Sequence, residues 1–165
     1  MIGNPTLNVL ILAFVTAERG AELWLARRNT RRLLAHGARE HAPAHYPLIV
    51  VLHATWLAAL WWLAPSRPVD PFWLALFVLL ELGRVWVLAS LGPRWTTRII
   101  VMPGEQLVRR GPYRWINHPN YWVVIGEIAV LPLVFGLWLV ALVFSILNAA
   151  LLTVRIAEEN RALGR

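Results

Sequence analysis

Residues 120–154 read NYWVVIGEIAVLPLVFGLWLVALVFSILNAALLTV, with Glu127 as the single charge. One continuous helix of that length would run past about 50 Å, well beyond the roughly 30 Å of hydrocarbon in a bilayer. Pro132 and Gly136, in LPLVFGLW, break the run near its middle. Proline removes a helix hydrogen bond and clashes with the preceding turn, so two helices joined by a tight turn are expected. The reading is therefore an all-α integral membrane chain whose last two segments form a helical hairpin.

Working outward, three further apolar runs are long enough to span. The first covers about Thr6 to Ala26. The second, YPLIVVLHATWLAALWWL, covers Tyr46 to Leu63. The third runs from Asp70-Pro71 to about Leu91. Asp70-Pro71 and Asn4-Pro5 both read as an N-cap followed by proline in the first helical position. About five transmembrane helices in one domain, residues 1–165, is the expectation. The start, MIGNPTLNVLILAF, lacks a basic n-region and a small-residue cleavage site, so it is not read as a signal peptide.

Composition agrees. Hydrophobic residues make up 58%, against roughly 45–50% for an average soluble domain, and mean hydropathy is +0.55. Ten tryptophans suit interfacial belts. With no cysteine there is no disulfide, zinc ribbon or thiol nucleophile. The net charge of +7 comes from sixteen arginines placed in clusters between apolar runs, which argues against nucleic acid and for membrane loops. Arg27, Arg28, Arg31, Arg32 and Arg39 follow the first span. Arg94, Arg98, Arg109, Arg110 and Arg114 follow the third, and Arg155, Arg161 and Arg165 lie in the tail. The loop between spans two and three holds only Arg67. By the positive-inside rule the N-terminus faces out and the arginine-rich end faces the cytoplasm of an inner membrane. Between Trp95 and Tyr113, TRIIV, MPGE and QLVRR read as a short β-hairpin around a Pro-Gly turn, a connector before the fourth span.

Several ionisable residues fall inside spans, at roughly 2.5–3.5 kcal/mol each on insertion scales, so pairing or a cavity is expected. Glu18, Arg19 and Glu22 lie in span one. Glu81 and Arg84 share a face of span three and read as an ion pair. Glu127 reads equally as a structural group or a site group. His41 and His45 have ligand spacing, but Pro43 between them spoils the helix, so no metal site is expected. No GxGxxG, Walker or GxSxG pattern occurs.

Two constellations remain. GPYRWINHPNY, residues 111–121, crowds backbone breakers and hydrogen-bonding side chains at the start of span four. Pro119 keeps His118 out of comfortable helix, and the first turn offers free N–H groups to a polar ligand. A plain aromatic belt of Tyr113, Trp115, Tyr121 and Trp122 is the competing reading. In the tail, VRIAEENRAL places Arg155 with Glu158 or Glu159 on adjacent parts of one helix face.

GPYRWINHPNY, an apolar hairpin and then R-x-x-E-E resembles the isoprenylcysteine carboxyl methyltransferase family of integral membrane methyltransferases, over about residues 90–165. The front half, with HYPLIVVLH, looks like a bacterial branch that includes alkylpyrone O-methyltransferases. The resemblance implies S-adenosylmethionine as cofactor, with S-adenosylhomocysteine as product, and a lipophilic or lipidated methyl acceptor among the membrane lipids. Carried onto this chain, Tyr113, His118, Pro119, Tyr121 and Glu159 would line the cofactor pocket. Arg155 and Glu158 would face the acceptor. The family usually has arginine directly before His-Pro; Asn117 stands here, so either Arg114 substitutes or the cofactor is held less tightly. A phospholipid amine methyltransferase and a small non-enzymatic transporter or subunit are the alternatives.

Overall fold

A computed structural model describes residues 4–104 and 106–164. Glu105 of the expected Pro-Gly turn and Arg165 of the tail lie outside the described residues. Five helices carry the chain: α1 (Pro5–Ala35), α2 (Tyr46–Leu63), α3 (Pro71–Leu91), α4 (Pro119–Val134) and α5 (Trp138–Ala162). Asn4 caps α1 by accepting from the N–H groups of Thr6 and Leu7, and Asp70 caps α3 by accepting from Phe72 and Trp73. The expected break between the last two helices is present. Pro132 closes the final turn of α4 and Gly136 takes φ +66° in the turn.

Among the described residues, three stretches are long and apolar enough to cross a membrane: Pro43–Leu63, Pro71–Arg94 and Trp138–Ala162. This is fewer than the five expected from sequence. Helix α4 has 16 residues, about 24 Å of rise, and α1 carries charges through its middle. Helix α1 also continues through Arg27, Arg28, Arg31 and Arg32, which the sequence had suggested were loop.

The connector differs from expectation as well. Ile99–Val101 (β2) is extended, but its partner is Arg39–His41 (β1), antiparallel, with Glu40 opposite Ile100. The expected hairpin partner, QLVRR, forms no strand among the described residues. Pairing β2 with β1 ties the exit of α1 to the loop beyond α3, and Arg98 reinforces the tie by donating to Glu40 at 2.9 Å. Asn29, buried in α1, donates to the carbonyls of Gly92 and Trp95 at 3.3 and 2.9 Å.

These contacts gather the arginine-rich segments at one end of the helices. At the other end, Asn8 donates to the carbonyls of Ala64, Pro65 and Arg67, and the Asp70 N–H donates to Val134. The larger apolar core lies toward that far end, around Leu12, Trp56, Leu60, Phe77, Leu131 and Phe135. Midway along the helices the charged groups meet. Arg84 is 2% exposed and donates through Nε and Nη2 to Glu127, and through Nη1 to Glu22 at 3.0 Å. Arg19 joins from α1, reaching Glu127 at 2.7 Å and Glu22 at 3.0 Å. The expected Glu81–Arg84 pair does not form; Glu81 lies 3.9 Å from Arg19 instead. Neighbouring helices offer Arg84 two carboxylates in a better fork than its own helix does, and a planar guanidinium favours that bidentate geometry. Glu127 is therefore a structural group here.

Candidate active site

The site grows from the bent approach to α4. Gly111 takes φ +55°, in the left-handed region that favours glycine. It presses against α3 so closely that an added Cβ would sit 2.0 Å from Ser90 Oγ. The Gly111–Arg114 segment is a 3-10 turn, and it swings Tyr113 inward. Pro119 starts α4 with a fixed φ, leaving His118 just outside the helix at φ −131°. Three residues on, Tyr121 points from the first turn of α4 across to α5.

Helix α5 answers with Arg155, Glu159 and Asn160. The Tyr121 hydroxyl donates to Glu159 Oε2 and accepts from Arg155 Nε at 2.8 Å. Arg155 Nη2 donates to the Thr97 carbonyl at 2.8 Å, and the guanidinium lies 5.6 Å from the Tyr121 ring centroid. His118 Nε2 sits 3.0 Å from Asn160 Oδ1, its Nδ1 is 3.7 Å from Glu159, and its ring stacks on Tyr121 at 5.3 Å. Thus the motif at 111–121 and the acidic end of α5 close on each other across 34 to 42 residues of chain. Burial, and then the Glu159 charge, push the Tyr113 phenol well above its ordinary range, which keeps it a neutral O–H donor.

Two cavities meet here. A cleft of about 200 Å³ is lined by Tyr113, Asn117, His118, Asn120, Tyr121, Arg155 and Glu159, with β2 as its opposite wall. A second cavity of about 400 Å³ runs between α1, α2, α4 and α5 along mainly apolar walls such as Leu23, Ile49, Ala54, Leu57 and Leu152. Trp95, Thr96, Asn120, Tyr121 and Arg155 belong to both linings. The Arg155–Tyr121 pair is a partition with a polar room on one side and a greasy one on the other.

Of the residues singled out in the sequence, Tyr113, His118, Tyr121, Arg155 and Glu159 line the cleft. Pro119 is buried beneath it as the first residue of α4. Arg114 turns away and packs its guanidinium 5.5 Å from the Trp115 ring. Glu158 pairs with Arg161 at 2.6 Å on the outer face of α5 and lines neither cavity. Sequence reasoning missed Asn120, whose buried Oδ1 has no partner among the described residues, and Asn160 behind His118. Both flank chosen residues, but nothing in their spacing marks them. No cluster of three metal-ligating side chains occurs among the described residues.

Residues 73–165 match the isoprenylcysteine carboxyl methyltransferase (ICMT) family. The chain is 40% identical over 159 residues to the uncharacterised protein YpbQ of Bacillus subtilis (strain 168), covering 93% of this chain and 95% of YpbQ. An uncharacterised protein of Haemophilus influenzae is 25% identical over 160 residues, 93% of each chain. No solved structure matches. Among the described residues, three helices are apolar enough to span a bilayer. The match covers more than half of the chain and YpbQ aligns along nearly all of it, so this protein belongs to the isoprenylcysteine carboxyl methyltransferase family of integral membrane methyltransferases.

Proposed function

We propose that the protein transfers a methyl group from S-adenosylmethionine to an oxygen of a lipophilic, membrane-embedded substrate, either a carboxylate or an enolic hydroxyl. The observation that carries this reading is the shared wall: a polar cleft and an apolar cavity abut at Tyr121 and Arg155. The cleft suits the cofactor chemically. Tyr113, Tyr121 and Trp95 offer flat faces, Glu159 offers a negative charge to a cation, and Asn120 offers a buried acceptor with no partner among the described residues. Bound there, the cofactor supplies an electrophilic methyl carbon on a positively charged sulfur.

Arg155 has a defined role in this scheme. Its Nε and Nη2 are committed to Tyr121 and Thr97, which fixes the guanidinium plane and leaves Nη1 to hold an acceptor oxyanion. Tyr121 orients Arg155 while passing its own proton toward Glu159 in a hydrogen bond. Transfer from a sulfonium to an oxyanion cancels two charges, so a dry junction between cavities favours the charge-poor transition state. A fixed cation in the wall also speaks against a phospholipid ammonium as acceptor, since like charges would meet there. The polar cleft faces the cytoplasm and the N-terminus lies outside, because the arginine clusters collect at the cleft's end of the helices.

The test is incubation of the detergent-solubilised protein with methyl-labelled cofactor and a lipid extract of the host, followed by mass identification of the product. A labelled lipophilic methyl ester or enol ether is expected. Label confined to a methylated amine, or no label in a protein that fails to bind S-adenosylhomocysteine by calorimetry, would overturn the reading.

A further inference from the structure

We propose that the apolar cavity grips its occupant at two points. In this assignment Asn148 and His53 form a second polar subsite, for a hydroxyl or carbonyl oxygen carried by the acceptor some way along its chain. The proposal rests on reading this cavity as the acceptor site.

Asn148 carries it. The residue is 3% exposed in α5 and lines the cavity, its side chain makes no hydrogen bond among the described residues, and its amide is not sealed off from the cavity space. Amides in so buried a residue are nearly always paired in folded proteins, so this one calls for a partner inside the cavity. Here the vacant side faces a cavity with room for a ligand atom. His53, from α2, lines the same cavity. Its Nδ1 lies 2.8 Å from the Ile49 carbonyl, which can only accept, so the hydrogen sits on Nδ1 and Nε2 is left as an acceptor. A hydroxyl fits this pair in both directions, donating to Nε2 and accepting from the Asn148 amide. A carbonyl oxygen satisfies the amide alone.

Of the charged groups lining the cavity, Arg84 commits all three nitrogens to Glu127 or Glu22, Arg19 bonds the same two carboxylates and keeps only Nε unpartnered, and Arg155 stands at the near end, where the reacting oxygen is held. Asn148 and His53 contribute an amide and an imidazole, so the subsite they form is neutral in character.

Its depth follows from the helices. Tyr46 and Arg155 mark the near end, since both bond Thr97, at 3.0 Å through Oγ1 and 2.8 Å through the carbonyl. Helix α2 leaves that end and α5 returns to it. His53 is seven residues beyond Tyr46 and Asn148 seven before Arg155, so each lies two turns deeper on the same face, about 10 Å away. An extended chain advances roughly 1.2 Å per bond, which places the second oxygen about eight bonds from the reacting one.

The probes are dodecanoic acid and its 6-, 7- and 8-hydroxy derivatives, titrated by calorimetry into the full chain in detergent, with protein-free micelles as blank and S-adenosylhomocysteine titrated in parallel. One positional isomer is expected to bind about fivefold tighter than dodecanoic acid. Asn148→Leu should erase that preference while changing dodecanoic acid binding less than twofold. Equal binding of parent and all isomers by the wild type overturns the subsite, and that comparison stands even if the variant fails to fold. A preference that survives in folded Asn148→Leu overturns it too. Positional preference without S-adenosylhomocysteine binding keeps the subsite and removes the methyltransferase reading. Cofactor-product binding without preference removes the subsite alone.

Discussion

Gly111→Ala probes whether the Gly-Pro turn is what seats Tyr113 in the cleft. The backbone there has φ +55°, which costs an L-residue about 1–2 kcal/mol. The new methyl would also lie 2.0 Å from Ser90 Oγ, 3.0 Å from Ser90 Cβ and 3.2 Å from Trp86 Nε1. Forced overpacking of this kind costs roughly 1–3 kcal/mol. The turn cannot slide freely to relieve it, because Arg110 Nε holds the Ser90 carbonyl at 2.7 Å next door. The sum, about 2–5 kcal/mol, should lower the thermal unfolding midpoint in detergent by on the order of 10 °C. Tryptophan fluorescence reads the midpoint, and a calorimetric titration reads S-adenosylhomocysteine affinity, which should fall as Tyr113 shifts. Adding Ser90→Ala removes the 2.0 Å contact but not the backbone strain, so the double variant should recover part of the loss. An unchanged midpoint in Gly111→Ala, or no recovery in the double variant, would refute the packing argument.

Further expectations concern the site and the charge network. His118→Ala and Glu159→Ala should each weaken S-adenosylhomocysteine binding, Glu159→Ala by roughly tenfold or more because the Tyr121 hydroxyl loses its acceptor; unchanged affinity in both would remove the cleft as the cofactor site. Arg84→Met leaves Glu127, at 2% exposure, to share Arg19 with Glu22 and should cost about 3–5 kcal/mol, read as a large drop in unfolding midpoint. Glu81→Gln should cost far less, since Glu81 lies 3.9 Å from Arg19 where Glu127 lies 2.7 Å, and equal drops would contradict the assigned pairing. Glu158→Ala should move the midpoint little, its exposed pair with Arg161 being worth under about 1 kcal/mol; a large shift would mean Glu158 is engaged elsewhere.

Local chemistry was readable in the sequence, and partnership across the chain was not. Asp70-Pro71 announces the start of α3, and Pro132 with Gly136 announces the hairpin, because caps and breakers act on their own few residues. The 111–121 motif and the Arg155/Glu159 pair were legible for the same reason. Arg27 to Arg32 looked like loop because charge outweighed the helical spacing that buries Ala26 and Asn29. The β1–β2 pairing was invisible, since three-residue strands carry no periodicity and their register is set by a contact some sixty residues away. Arg84 was matched with Glu81 because helical spacing exposes same-helix neighbours, whereas Glu22 and Glu127 come from other helices. Successive helix residues point about 100° apart, so Glu159 meets Tyr121 in the cleft while Glu158 beside it meets Arg161 outside.

The family match begins at residue 73, yet one flank of the larger cavity comes from α1 and α2, through Thr16, Leu23, Ile49, His53 and Leu57. The walls of the greasy room are therefore shared about equally between upstream and downstream stretches, and those of the polar room lie mostly downstream. Mutations in residues 5–63 can retune preference for one guest without disturbing the seat of the other. The chief physical brake on that independence is Arg84, whose grip on Glu22 makes the upstream half answer to the downstream one.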